Sequence, residues 1–530
     1  MRLGTCQKTL LAAGFGAIAS VASADAPSAE DAPPAKDSNQ DVTPIGNAEA
    51  LDIAGHQTRY TPFGFTPKLQ LFGRVEGYDG FAVDRDGTEY DYNAAVNTQL
   101  RVGLSRDDRF GMVRVFTEYE HDFLTGTLTG GGDLEGVHVP DSGGYGEATL
   151  RKLWLSVSIG PFATIGAGFT TSHWGLGLLA NDGAHGWTPG SAYFGDPRGG
   201  DRVLRALLAS GPFTSQRVTV FAAFDAVRGD DVLFPGDNAI QAVAGVRVGD
   251  LAPIMGAPTT YEAGVYGVWR RQESDDDQVT EVGVIDVYGR HVHRFANGMA
   301  LDIGFEGALI VGETALAPTL DAADSDVLQL GAKLQLGFDG GLGGANLDII
   351  YASGDRNFDD EAQNGFKLDI NSEVGLILFR QVLAAQTARS PITAANPDLV
   401  GLPNEDLDRL PTRGNVTNTV AFFPRGWIRP VDGLEIYAGV LFALSEVDYA
   451  DAFNTRIAGG DPRNPVNGEP GMYFGTEIDA GIRFRGLLFG SEFTLGLEGG
   501  ILLPGSALRD ASGTTPGALL GGRAMAQYRF

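Results

Sequence analysis

From about residue 66 onward, apolar and polar side chains alternate one by one. In "AAVNTQLRVGLS", Ala94, Val96, Leu100, Val102 and Leu104 share one face with Thr98, while Asn97, Gln99, Arg101 and Ser105 share the other. In "MVRVFTEYEHDF", Val113, Val115, Tyr119 and Phe123 oppose Arg114, Glu118, Glu120 and Asp122. A period of two places successive side chains on opposite faces of an extended strand; a helix would need a period near 3.6. About eighteen such segments follow one another, each of the roughly ten or more residues that a tilted membrane strand requires. Strands of a soluble sandwich are shorter, about five to six residues. A propeller would repeat itself every ~40–50 residues, and no such repeat is present. The pattern predicts an all-β fold: a transmembrane, antiparallel, up-and-down β-barrel of about 18 strands (16–18).

The connections carry a second regularity. "RDDRF", "GP", "FANG" and "PVD" are short, and between them lie longer pieces at 80–91, 124–147, 173–200, 314–326, 355–415 and 447–473. Membrane barrels have short periplasmic turns and long external loops. With the first strand running outward, the long pieces fall outside and an even strand count returns the C-terminus to the periplasm. The chain ends "RAMAQYRF" and alternates to its last residue. An open sheet edge in lipid leaves backbone groups unsatisfied, so the last strand must pair with the first along its whole length. Tyr528 and Phe530 are then expected at the periplasmic interface, as part of an aromatic girdle and as a signal read by the barrel-assembly machinery.

Composition narrows the function classes. Acids outnumber bases 67 to 39, a formal net charge of −28, which excludes a nucleic-acid partner. Residues 1–24 read as a cleavable export signal: Arg2 and Lys8, then "TLLAAGFGAIASVA", then "ASA". Cys6 is the one cysteine and lies within that signal, so the exported chain would hold no disulfide, thiolate metal site or thiol nucleophile. Residues 25–64, rich in Pro, Ala and acids, read as a flexible periplasmic leader. Residues 65–530 form the barrel, and its expected location is a bacterial outer membrane.

In its loops the chain resembles Gram-negative outer-membrane porins, and among them the alginate-export-type barrels and their uncharacterised myxobacterial-type relatives. The phrases that carry the resemblance are "GFTTSHWGLGLLANDG" (168–183), "GDPRGGDRVL" (195–204), "YASGDRNFDDE" (351–361) and "VGLILF" (374–379). The resemblance implies an eighteen-stranded pore and leaves the solute open. A lining of basic residues, as in the alginate exporter, fits poorly with this acidic chain.

No catalytic motif stands out: there is no G-x-S-x-G elbow, no H-E-x-x-H, and "GLGLLAND" lacks the third glycine of a dinucleotide loop. The reading is a non-enzymatic channel without a cofactor, passing small hydrophilic solutes or carbohydrates. The alternatives are an oligosaccharide exporter, a plugged receptor or structural barrel, and a hydrolase on the barrel rim. His291 and His293 in "HVH" share a strand face but have no evident third metal ligand. Asp355, Asn357 and Asp359 have calcium-like spacing, though the EF-hand glycine and glutamate are missing. The loop at 173–200 carries His173, Trp174, His185 and Trp187 among glycines; so apolar a loop is expected to fold into the lumen as a constriction. "EVGLILFRQVLAAQTA" reads as a short helix or strand folded over the mouth. Registering the polar faces gives a pore lining with bases at Arg74, Arg101, Arg114, Lys152, Arg483 and Arg523. It gives acids at Glu262, Asp302, Glu306, Asp348, Glu435, Glu477, Glu492 and Glu498. These sets tend to opposite sides of the closed ring, which predicts either a transverse field or simple pairing with strand neighbours.

Overall fold

The computed structural model describes residues 64–132, 147–183, 200–230, 232–233, 236–251, 259–274, 277–315, 325–356, 361–394, 412–489 and 491–530. The first strands are β1 (Thr66–Ala82), β2 (Glu89–Phe110), β3 (Val113–Gly132), β4 (Glu147–Ile159), β5 (Ala163–Thr171) and β6 (Arg202–Phe213). They continue through β7 (Val218–Gly229), β8 (Asn238–Asp250), β9 (Thr259–Glu273), β10 (Val279–Arg294), β11 (Ala300–Thr314), β12 (Ser325–Asp339) and β13 (Gly343–Ala352). A two-residue strand, β14 (Ala362–Gln363), pairs parallel with the start of β12 and is not one of the strands that close the ring. The wall resumes with β15 (Thr419–Val431), β16 (Leu434–Ser445), β17 (Tyr473–Leu488), β18 (Ser491–Pro504) and β19 (Leu519–Arg529).

Apart from β14, each strand pairs antiparallel with its neighbours in sequence, and β19 pairs with β1 from Gln70↔Arg529 to Tyr78↔Gly521. Eighteen strands thus close into a ring with no free edge among the described residues. Pairing runs to the last residue: the Phe530 N–H donates to the Leu69 carbonyl at 2.8 Å, and the Leu69 N–H donates to the Phe530 carbonyl at 3.1 Å.

Alternation sorts the two faces as the sequence predicts. Leu71, Leu153, Ile165, Leu208, Ile285, Leu328, Ile436 and Leu497 lie exposed on the outside, the face that lipid covers. Gln70, Arg74, Glu76, Arg101, Asp225, Gln329 and Glu477 are buried on the inside. Phe110, Phe162, Phe295, Phe489 and Phe530 stand exposed at the short-turn end, the level of an aromatic girdle. The strands β2 and β3, at 22 and 20 residues, are longer than the alternation alone predicts. Their far ends continue past the apolar band, and half of the piece expected to be a loop over 80–91 is ladder, with 83–88 between β1 and β2.

The glycine-rich composition has a local cause. Aromatic rings from the connections lie against glycines of wall strands, where any side chain would collide. A Cβ at Gly264 would sit 2.6 Å from the Trp174 ring, and one at Gly331 2.1 Å from the Phe366 ring.

Candidate functional site

Two connections turn inward, and they leave the two shortest strands of the wall, β5 with nine residues and β13 with ten. A strand that stops early ends its hydrogen-bond ladder early, and the chain then enters the lumen. The amides it carries there must find partners inside the barrel.

After β5, Ser172–Gly183 forms a tight loop closed on itself by the Trp174 N–H to the Ala180 carbonyl (3.0 Å) and the Gly177 N–H to the Trp174 carbonyl (2.9 Å). The Trp174 ring makes edge contacts with Tyr266 and Tyr288, each at 4.8 Å between centroids, and with Phe221 at 6.0 Å. Its indole Nε1–H donates to Asp286 Oδ1 at 3.0 Å. The backbone N–H groups of Leu176 and Leu178 both donate to the Glu306 carboxylate on β11, the second at 3.2 Å.

After β13 the second segment descends through Phe366 to Gly375, whose φ of +70° is the left-handed conformation that glycine adopts without strain. Beyond it the N–H groups of Leu376, Ile377 and Leu378 point one way, and all three donate to the Glu477 carboxylate on β17, the last two at 2.8 Å. Successive amides converging on one anion form a nest. A π-helical turn, Leu378–Leu383, leads into α1 (Ala384–Ala394). From Leu378 onward the stretch "EVGLILFRQVLAAQTA" is helical, as one of the two expectations had it; its first residues are hydrogen-bonded to the wall at Glu477, and α1 reaches the outer end of β1, where Gln386 Nε2 donates to the Ala82 carbonyl at 3.2 Å. Arg380 ion-pairs with Glu373 at 2.9 Å and approaches Glu76 at 3.8 Å. Arg389 donates to Asp84 at 2.9 Å.

The two segments also hold each other. The Asp369 N–H donates to the Leu178 carbonyl (2.8 Å), the Asn181 N–H to Asp369 Oδ2 (3.1 Å), and Asn371 Nδ2 to the Asn181 carbonyl (3.0 Å). The Ser372 hydroxyl donates to the Gly177 carbonyl. Leu178, Leu179, Leu376, Ile377, Leu378, Phe379, Val382 and Leu383 are all buried in one apolar cluster that also takes in wall residues such as Tyr266, Leu441 and Phe474. The pair forms a diaphragm across the lumen.

All fourteen charged positions registered from the sequence carry partners. Among the bases, Arg74 lies 3.1 Å from Glu76, Arg101 2.6 Å from Asp122, Arg114 2.8 Å from Asp107, and Lys152 3.5 Å from Glu118. Arg483 lies 2.6 Å from Glu435, and Arg523 sits between Glu498 at 2.7 Å and Glu373 at 2.9 Å. Among the acids, Glu262 pairs with Arg247, Asp302 accepts from Arg290 at 3.0 Å, Asp348 pairs with Arg425, and Glu492 with Arg485 at 2.9 Å. Strand neighbours two apart and across the ladder are within side-chain reach, and twelve of the fourteen positions pair there with an opposite charge. This geometry favours local pairing over the wall-to-wall field that segregation of bases and acids predicts. Glu306 and Glu477 differ from the other six acids: their partners are backbone N–H groups of the inserted segments.

Several lumen residues escape sequence reasoning. Arg151 is buried against Glu120 at 2.8 Å, but a register shift opposite Glu120 and His121 breaks the parity that would have placed it. Arg205 grips Asp225 with two hydrogen bonds, at 2.7 and 2.8 Å; the parity of "RVLRALLAS" hides it, because Val203, Leu207 and Ala209 on the same face are apolar. Glu373 and Arg380 belong to a segment without period. His173 is partly buried, 3.9 Å from Asp182, and Trp174 is buried as described. His185 and Trp187 lie outside the described residues. His291 and His293 face outward near the 295–298 turn, and Thr259 Oγ1 lies 2.8 Å from His293 Nδ1. Asp355 accepts the Asn364 N–H at 2.9 Å, whereas Asn357 and Asp359 lie outside the described residues. Among the described residues no cluster of three or more His, Cys, Asp or Glu side chains could hold a metal.

Fold and lumen together define a closed transmembrane β-barrel of eighteen strands with loops folded inside. Solved structures share this architecture. Acinetobacter baumannii OccAB1 is similar over 89% of this chain and 98% of its own, at 11% identity and a TM-score of 0.50. Pseudomonas aeruginosa OccK2 (OpdF) is similar over 89% and 98%, at 10% identity and 0.47. The outer membrane protein opdK of the same organism matches over 88% and 98%, at 11% and 0.46. At such identities the likeness is one of fold. Neither a protein-family model nor a curated protein matches the chain in sequence.

Proposed function

We propose that this chain is an outer-membrane channel for the passive diffusion of small hydrophilic solutes, narrowed by its two inserted segments. The observation that carries the reading is the closed eighteen-strand wall with charged and amide side chains on its inner face. A barrel of this size is wide enough for an aqueous path, and the inserted segments restrict it. The charged inner positions listed above, with His173 and Trp174 on the constricting loop, are the proposed lining. Residues 1–24 act as the export signal, residues 25–64 as a periplasmic leader, and Tyr528 and Phe530 as the strand end offered to the barrel-assembly machinery. The likeness of the loop phrases to alginate-export-type barrels fits the same channel architecture and leaves the cargo open. One observation favours a second reading, a plugged receptor barrel: the burial of both segments in one apolar cluster with the wall. Liposome swelling with sugars, amino acids and short oligosaccharides of increasing size separates the two. A channel gives rates that fall with solute size; a plugged barrel gives none above empty liposomes.

A further inference from the structure

Six of the eight inward acids registered from the sequence face an arginine; Glu306 and Glu477 do not. Neither has an arginine or lysine within ion-pair distance among the described residues. Each is fully buried. Each accepts from consecutive or near-consecutive amides of one inserted segment, Leu176 and Leu178 for Glu306, Leu376 to Leu378 for Glu477, and each also stands against a second buried carboxyl group, Asp286 beside Glu306 and Asp479 beside Glu477. They stand on different strands, β11 and β17. Between them the two segments are joined by the hydrogen bonds of Asp369, Asn371 and Ser372 to the 177–181 stretch. A carboxylate offers acceptors on both oxygens, whereas a glutamine of the same shape turns an NH2 toward at least one of the amides. A buried donor left facing a donor loses its bond and its solvation together.

We propose that Glu306 and Glu477 are the two latches of one diaphragm, so that releasing either carboxylate frees both inserted segments. They are positioning residues: their role is to hold the constriction, and its effect on solute passage rests on the channel reading above. The coupling has a physical carrier in the bonds between the segments, and either latch biases the same two-state body.

The test uses trypsin on the full barrel in detergent. Arg380 lies in the second segment, buried, and the Ser172–Gly183 stretch contains no lysine or arginine. In wild type, cleavage after Arg380 is slow. In Glu306→Gln, whose change touches only the first segment, cleavage after Arg380 is expected to quicken by about tenfold or more while the barrel stays heat-modifiable. Glu477→Gln gives the same result. Leu176→Pro removes one donor to Glu306 without altering the wall, and it serves where Glu306→Gln does not fold. Combined with Glu306→Gln it should add nothing, as expected for two changes at one contact. Cleavage in Glu477→Gln but neither in Glu306→Gln nor in Leu176→Pro would mean two independent loops and overturn the coupling. Protection in all variants would overturn the latches altogether. A wild-type barrel silent in planar bilayers would overturn the channel reading and leave the trypsin result standing. With a conducting wild type, the latch variants should raise unitary conductance by about twofold.

Discussion

Arg523 shows how single side chains tie wall to insert. It donates to Glu498 on the neighbouring strand and to both oxygens of Glu373 on the second segment, and it is almost fully buried. Removing one partner of a buried pair strands the other charge, at about 3–5 kcal/mol. Arg523→Met should therefore lower the unfolding midpoint in denaturant clearly, and Arg523→Lys less so; an unchanged midpoint for Met would show the site to be wet. The pair Asp84–Arg389 tethers α1 to the β1–β2 connection, beyond the end of β1. Burial pushes the Asp84 carboxyl up, but hydrogen bonds from Thr88 and the Arg389 guanidinium outweigh it and hold it below its ordinary value. A lowered carboxylate contributes stability that is present above the unfolded value of about 3.9 and is lost as pH falls through the folded one. Acid should thus loosen α1 in wild type but not further in Asp84→Asn, which hydrogen exchange of the helix amides can follow.

At the scale of elements, the strands were legible and the inserts were not. Alternation in "LQLGAKLQLGFD" places Leu328, Leu330 and Leu336 outside and Gln329 inside, as the structure has them. This follows from a period that one strand imposes on itself. The latches depend on contacts far apart in sequence: Leu176 meets Glu306 across 130 positions and Leu376 meets Glu477 across 101. No local period encodes such a contact, so Glu306 and Glu477 look like any other inward acid. What was visible was the excess of Trp, His and Gly after β5, which suggested an inserted loop before its anchor was known. The seat of that loop gives a prediction. Gly264→Ala places a methyl against Trp174 and Tyr288 and should destabilise by about 1–3 kcal/mol. Gly267→Ala on the same strand, whose Cβ would meet only the Val284 carbonyl at 3.6 Å, should be close to neutral. Equal stability of the two variants would show that Trp174 does not need that seat.

At the scale of the molecule, closure and passage are the two claims. The last strand pairs through Phe530, so Phe530→Lys, which puts a charge at the membrane edge, should reduce the amount of heat-modifiable barrel in the outer membrane without changing the unitary conductance of what assembles. Normal amounts of assembled mutant would separate closure from the terminal ring. Passage is tested most directly by planar-bilayer recording of the wild-type chain. Discrete, stable current steps of one size, blocked from one side by solutes too large for the constriction, are the predicted result; a folded, heat-modifiable barrel that inserts and stays silent would contradict it.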